Sequence, residues 1–167
     1  HYNIGLYYFQ KERYKKAYKA FQESVSLKKN AWAYHGMASA AVMRGKNKKA
    51  GKAMEKGIRL RKEDLSYLKE GFRILLLCGG YERICRLYAG LRESLQKDGR
   101  LCFCYIRALH ETGRSGEARR LLNADGGLEV NDIREGELSL GELWTELERE
   151  AGNTPEQVPY KFDFHSA

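Results

Sequence analysis

The feature that most constrains this chain is an internal repeat with a period of 33 to 34 residues. A small or apolar residue recurs at this interval, and a bulky apolar residue follows four positions later. A turn position comes five residues earlier, and it is usually glycine, which suits the left-handed conformation that ends a helix. The three recurring sets are Ala17, Ala50, Ile84 and Ala118; Phe21, Met54, Tyr88 and Leu122; and the turn positions Glu12, Gly45, Gly79 and Gly113.

Apolar residues at helical spacing precede each turn position. Leu68, Phe72 and Leu75, for example, fall on one face of a helix. Each repeat is therefore predicted to be a helix, a short turn and a second helix. Four repeats are predicted, over residues 1–30, 31–64, 65–98 and 99–125.

The pattern resembles the tetratricopeptide repeat, a hairpin of 34 residues with aromatic, glycine and alanine positions at fixed offsets. The first repeat carries the resemblance best, through Gly5, Tyr8, Ala17 and Phe21. The third and fourth repeats lose the small residue of the first helix, and the closing proline is absent throughout. The resemblance covers residues 1 to about 125. It implies an all-α, right-handed superhelical array of about four hairpins.

Residues 45–53 read GKNKKAGKA, which is similar to a phosphate-binding loop but departs from it at two points. Five residues rather than four separate Gly45 from Gly51, and Ala53 stands where a magnesium-binding hydroxyl is required. The segment is therefore predicted to be a turn followed by a second helix.

The chain changes character after the fourth repeat. Residues 126–138 are predicted to be a loop, residues 139–152 a capping helix, and residues 153–167 an extended tail. In the predicted helix, Leu143, Trp144 and Leu147 share one face, and Ser139 with Glu142 forms a capping box. We expect this helix to close the apolar end of the array.

Two further stretches, REGELSLGELW and VPYKFDF, resemble the C-terminus of a group of large bacterial proteins. Those proteins join a carbohydrate-related, mutarotase-like region to tetratricopeptide repeats. The resemblance implies that this chain is their C-terminal module. The partner would then include the N-terminal region of the same parent chain.

Composition limits the function classes that need to be considered. The chain is 43% hydrophobic and 31% charged, and no apolar run approaches the roughly 18 residues of a membrane span. Residues 1–124 carry a net charge of +16 and residues 125–151 a net charge of −7. The four cysteines lack zinc-site spacing, so no metal or cofactor is expected, and free thiols suit a reducing cytoplasm.

No catalytic motif is found, since the four histidines are scattered and no nucleophile or nucleotide loop is present. The predicted function is therefore a non-enzymatic scaffold that binds a protein or peptide. Nucleic acid is not the expected partner, because the lysines follow helical surface periodicity and form no concentrated arm. The alternative is a structural or dimerising module of a carbohydrate-active bacterial enzyme.

The family resemblance implies that first-helix positions line a concave face. This face would be aromatic at one end and basic at the other, which suits an acidic and hydrophobic peptide. Apolar residues at the same positions, such as Leu6, Phe9, Leu76 and Leu77, could equally contact neighbouring repeats or an absent domain. The predicted ligand-binding residues are Tyr2, Phe9, Trp32, His35, Lys69, Arg73, Arg100, Phe103 and Arg107.

Overall fold

A computed structural model describes residues 1–123 and 140–152 of the protein. These residues form α-helices without any β-strand, which confirms the predicted all-α class. The predicted loop over 126–138 and the predicted tail over 153–167 lie outside the described residues. The helices are α1 (Tyr2–Gln10), α2 (Tyr14–Leu27), α3 (Ala31–Met43), α4 (Asn47–Leu60), α5 (Leu65–Leu77), α6 (Tyr81–Ala89), α7 (Glu93–Gln96), α8 (Gly99–Glu111), α9 (Ser115–Asn123) and α10 (Leu140–Glu150).

Left-handed residues separate the helices of the four hairpins. Glu12, Gly45, Gly79 and Gly113 have φ of 59°, 70°, 70° and 84°, as the repeat pattern predicts. Residues 45–53 form the predicted turn and the start of α4, and Gly51 is buried within that helix. The array is therefore built of helix hairpins that are similar to tetratricopeptide repeats. The sequence pattern gave no signal for α7, because a helix of four residues is too short to show a period.

The chain divides into two compact units, His1–Leu87 and Tyr88–Ala167. In the first unit, Phe21 of α2 is inserted between α1 and α3 and is only 1% exposed. Glycines on both neighbouring helices make room for its ring: a Cβ atom built on Gly5 would lie 2.5 Å from the ring, and one on Gly36 would lie 2.7 Å from it. The glycine of the family pattern therefore allows close helix packing here.

The second unit is completed by α10, which packs against α9 and α8. Leu143 and Leu147 are buried, and the indole Nε1 of Trp144 donates a hydrogen bond to Asn123 Oδ1 at 2.9 Å. The buried carboxylate of Glu148 accepts two hydrogen bonds from the guanidinium of Arg119, at 2.8 and 3.1 Å. This pair raises the pKa of Arg119 and joins α10 to α9.

Glu12 is the only left-handed residue with a side chain among the described residues, and its replacement by glycine is expected to stabilise the protein. An L-residue pays roughly 1–2 kcal/mol in this conformation, and glycine avoids that cost but loses more chain entropy on folding. The expected net gain is about 0.5–1 kcal/mol in a chemical denaturation experiment.

The matched control for that variant is Gly45→Ala. Its φ of 70° is similar to that of Glu12, and no atom lies within 4 Å of the added Cβ, so the substitution reports backbone strain alone. We expect it to destabilise the protein by about 1 kcal/mol. A Glu12→Gly variant less stable than the wild type would contradict the assignment.

Candidate protein-binding surface

The first helices of the three N-terminal hairpins lie side by side, because α3 contacts both α1 and α5. Residues at equivalent repeat positions therefore occur on the same face of neighbouring helices. We call this face the first-helix surface. Its rows, in the order α1, α3, α5, are Tyr2, His35 and Lys69; Leu6, Ser39 and Arg73; Phe9, Val42 and Leu76; and Gln10, Met43 and Leu77.

Trp32 begins an aromatic cluster beside the first row. Its ring meets Tyr67 edge-on at a centroid distance of 5.0 Å and His35 at 5.4 Å. Tyr67 is fully buried, and its hydroxyl donates a hydrogen bond to the carbonyl oxygen of Ala31 at 2.6 Å. Burial raises the pKa of this hydroxyl, so it stays protonated and keeps the hydrogen bond. Trp32 contacts both of these rings, and 39% of its surface remains exposed.

Glu70 connects two of the predicted binding residues. Its carboxylate accepts hydrogen bonds from Arg73 Nη2 at 2.6 Å and Arg73 Nε at 3.1 Å, and Oε1 lies 3.1 Å from Nε2 of His35. The hydrogen bonds from Arg73, reinforced by His35, lower the pKa of Glu70 to about 2 against the opposing effect of burial. Nε and Nη2 of Arg73 are therefore engaged by Glu70, and a partner's carboxylate would have to compete with Glu70 for them.

Glu70 was missed among the predicted site residues, and its effect on stability is testable. The pKa of its carboxyl is lowered from 4.5 to about 2. The ionised carboxylate therefore stabilises the fold above pH 4.5, and this contribution is lost as the pH falls toward 2. We expect Glu70→Gln to lose about 1 kcal/mol near neutral pH, a value discounted because the carboxylate is one-third exposed.

Unfolding curves at several pH values would check this. The stability difference between the wild type and Glu70→Gln should shrink as the pH is lowered from about 6 to about 2.5. Gln22→Ala, which changes an exposed, uncharged side chain on α2, is the control and should show no such trend. A difference that is constant with pH would contradict the ion-pair account.

The other predicted residues of the first unit have intramolecular roles as well. Tyr2 is half-buried with its ring centroid 5.8 Å from that of Phe21, and Phe9 meets Tyr14 edge-on at 5.2 Å. Lys69 is half-buried on α5. These residues shape the first-helix surface and leave only part of each side chain open to a partner.

An apolar strip runs across the turn ends of α1, α3 and α5. Met43 is 54% exposed and Leu77 is 57% exposed, at equivalent positions of consecutive hairpins. The residues of the adjacent row, Phe9, Val42 and Leu76, are half-buried. We call these five residues the apolar band. The repeat spacing placed them on one face, but their exposure could be known only from the folded arrangement.

The predicted residues of the second unit are placed differently. Phe103 is 4% exposed because α7, α9 and α10 all contact α8, so its assignment to an open binding face is wrong. Arg107 Nη1 lies 3.2 Å from Glu146 and its Nε lies 3.6 Å from Glu111. Arg100 is half-buried at the start of α8. The cation of Arg107 is thus paired with carboxylates of its own unit.

A cleft lies at the opposite end of α3 from the apolar band. Its volume is about 710 Å³, within the range of ligand pockets. The α2–α3 loop, the start of α1 and the end of α4 supply its walls. The lining residues are His1, Tyr2, Ser24, Leu27, Lys28, Lys29, Asn30, Ala31, Trp32, Leu60 and Arg61.

The described residues show no arrangement for metal chemistry. Over 1–123 and 140–152, no three His, Cys, Asp or Glu side chains are grouped to hold a metal ion. The four cysteines are buried, and burial raises the pKa of Cys104 to about 12, which suppresses its thiolate. Within the same ranges, no helix has the length and apolar character needed to cross a membrane.

The repeated hairpins define an all-α helical-repeat architecture that is similar to an array of tetratricopeptide repeats. A comparison with family models supports this class: the model described as "Tetratricopeptide repeat" matches residues 1–31, which contain the first hairpin. Neither a curated protein nor a solved structure matches the chain significantly. Tetratricopeptide repeats generally mediate protein–protein interactions and are generally non-catalytic.

Proposed function

We propose that the protein is a non-enzymatic scaffold that binds an apolar segment of another protein or domain on the apolar band. The observation that carries the proposal is the exposure of Met43 and Leu77 at equivalent positions of neighbouring hairpins. Burying a large apolar side chain contributes about 1.5–3 kcal/mol, so a partner that covers both gains substantially. Exposed apolar strips of this kind commonly mark protein interaction sites.

The polar rows of the first-helix surface support a role in orientation. Glu70 is hydrogen-bonded to both His35 and Arg73, so these three side chains form a fixed rim beside the band. Aligning a partner against a fixed rim costs little side-chain entropy. The affinity for a partner would then come mainly from apolar contacts with the band, and not from ion pairs between an arginine and a carboxylate of the partner.

Affinity capture from a cell lysate tests the proposal. The bait is the wild-type chain, Met43→Ser/Leu77→Ser, or the control Ile4→Ser/Leu65→Ser, which also replaces two exposed apolar residues but outside both the apolar band and the cleft lining. Mass spectrometry should identify a protein that the wild type and the control retain and the band variant loses. Equal recovery of every protein on all three baits would contradict the proposal.

A second capture with the N-terminal region of the parent chain addresses an intramolecular role. If that region is retained by the wild type and lost by the band variant, the band holds the module against its own protein. Sedimentation of the wild type and of Met43→Ser/Leu77→Ser checks the dimer alternative. A dimer that the band variant converts to a monomer would favour a dimerising module and contradict binding of a separate partner.

A further inference from the structure

The cleft at the α2–α3 loop combines three exposed apolar side chains in one concave site. Leu27 is 73% exposed, Leu60 is 45% exposed and Trp32 is 39% exposed. Single exposed apolar residues are common on protein surfaces, but three that line one cavity of about 710 Å³ are not explained by chance exposure. They provide room and contact area for a bulky apolar group.

The charged side chains that line the cleft are basic, and two carboxylates lie beside them. Lys28, Lys29 and Arg61 line it, and no Asp or Glu is among the lining residues. Asp64 Oδ2 lies 3.7 Å from Nη1 of Arg61, and Glu23 Oε2 lies 3.0 Å from Nδ1 of His1. Both pairs are exposed, so both interactions are weak. No described carboxylate pairs with Lys28 or Lys29. The rim of the cleft is therefore cationic.

The loop that carries the two lysines is held in place. The amide of Lys28 donates a hydrogen bond to Ser24 O at 3.1 Å, which ties the loop to the end of α2. The side chain of Asn30 accepts hydrogen bonds from the amides of Trp32 at 2.8 Å and Ala33 at 3.4 Å, which caps α3. A fixed loop loses little entropy when a ligand binds.

We propose that this cleft binds a short acidic peptide segment whose bulky apolar side chain is flanked by carboxylates. The apolar side chain would contact Leu27, Trp32 and Leu60, while the carboxylates would meet the cationic rim. Charge complementarity selects this ligand class over a basic or a neutral segment. The site is separate from the apolar band: it lies at the start of α3, and the band lies about 18 Å away at the end of that helix.

Fluorescence anisotropy with a labelled peptide Asp-Glu-Leu-Phe-Glu-Asp tests the charge requirement. We expect Lys28→Glu/Lys29→Glu to weaken binding by about tenfold, because both reversed charges lie on the rim. Lys48→Glu/Lys52→Glu makes the same change in net charge on exposed positions of α4 outside the cleft. This control should weaken binding by less than about threefold. Equal losses in both variants, or no binding to the wild type at low salt, would overturn the proposal.

Two neutral variants test the apolar requirement. Leu27→Ser removes a side chain that is mostly exposed, so it should not impair folding, and we expect it to weaken the same peptide by about fivefold. Leu77→Ser, in the apolar band, should leave this affinity unchanged, so failure of the cleft and failure of the band are distinguishable. A peptide Asp-Glu-Ser-Gly-Glu-Asp that binds as tightly as the first would contradict an apolar anchor.

Discussion

Replacing Phe21 with alanine is expected to lower the free energy of unfolding by about 3–5 kcal/mol. The ring is 1% exposed and lies between α1 and α3, so the substitution leaves a cavity where three helices meet. Guanidinium denaturation followed by circular dichroism would measure the loss. Phe9→Ala is the control, since Phe9 is half-buried and should cost clearly less.

A double-mutant cycle with Gly36 tests why the ring fits. An added Cβ at Gly36 would lie 2.7 Å from three ring carbons of Phe21, so Gly36→Ala should destabilise the protein by about 1–3 kcal/mol. In a Phe21→Leu background the same substitution should cost less, because the smaller side chain leaves space. Strictly additive effects would show that Gly36 and Phe21 do not share this contact.

Gly57→Ala is expected to destabilise the protein by about 2–3 kcal/mol, although alanine normally favours a helix. The new Cβ would overlap the hydroxyl oxygen of Tyr67 and would lie 3.1 Å from Cβ of Tyr34 and 3.3 Å from the carbonyl oxygen of Ala31. Tyr67 is fully buried and its hydroxyl is bonded to Ala31, so it cannot move aside without losing that hydrogen bond. Thermal or chemical unfolding would measure the effect.

Two comparisons isolate the Tyr67 hydroxyl as the cause. Gly116→Ala adds a Cβ within α9 with no neighbour closer than 4.0 Å, so it should change stability by less than about 0.5 kcal/mol. Tyr67→Phe alone should cost about 1–2 kcal/mol for the lost hydrogen bond. The Gly57→Ala/Tyr67→Phe double variant should be more stable than the sum of both losses predicts. A double variant that loses the full sum would contradict the overlap.

The hairpin architecture could be predicted from the sequence because it depends on local and periodic signals. The turn at Gly45 requires a left-handed residue, and Ala50 and Met54 mark the buried face of α4 by spacing alone. These signals repeat at equal intervals, so each hairpin supports the assignment of the next. The division of the chain into two compact units and the short helix α7 have no such periodic marker in the sequence.

The carboxylates that pair with the arginines of the predicted basic end could not all be predicted, for a physical reason. Helical periodicity gives the side on which an arginine emerges, but it does not give the carboxylate that the arginine meets. The Glu70–Arg73 pair, three residues apart on one helix, had a local signal that could have been used. Arg107 and Glu146 are 39 residues apart in the sequence. Their pairing depends on how α10 packs against α8, which no local pattern encodes.

Hydrogen exchange on the free chain and on its complex with a captured partner tests the central claim most directly. If a partner binds the apolar band, amides near the turn ends of α1, α3 and α5, around Phe9, Met43 and Leu77, should gain protection. Amides on the exposed faces of α2 and α4 should exchange as in the free chain. Protection confined to α2 and α4 would contradict binding on the first-helix surface.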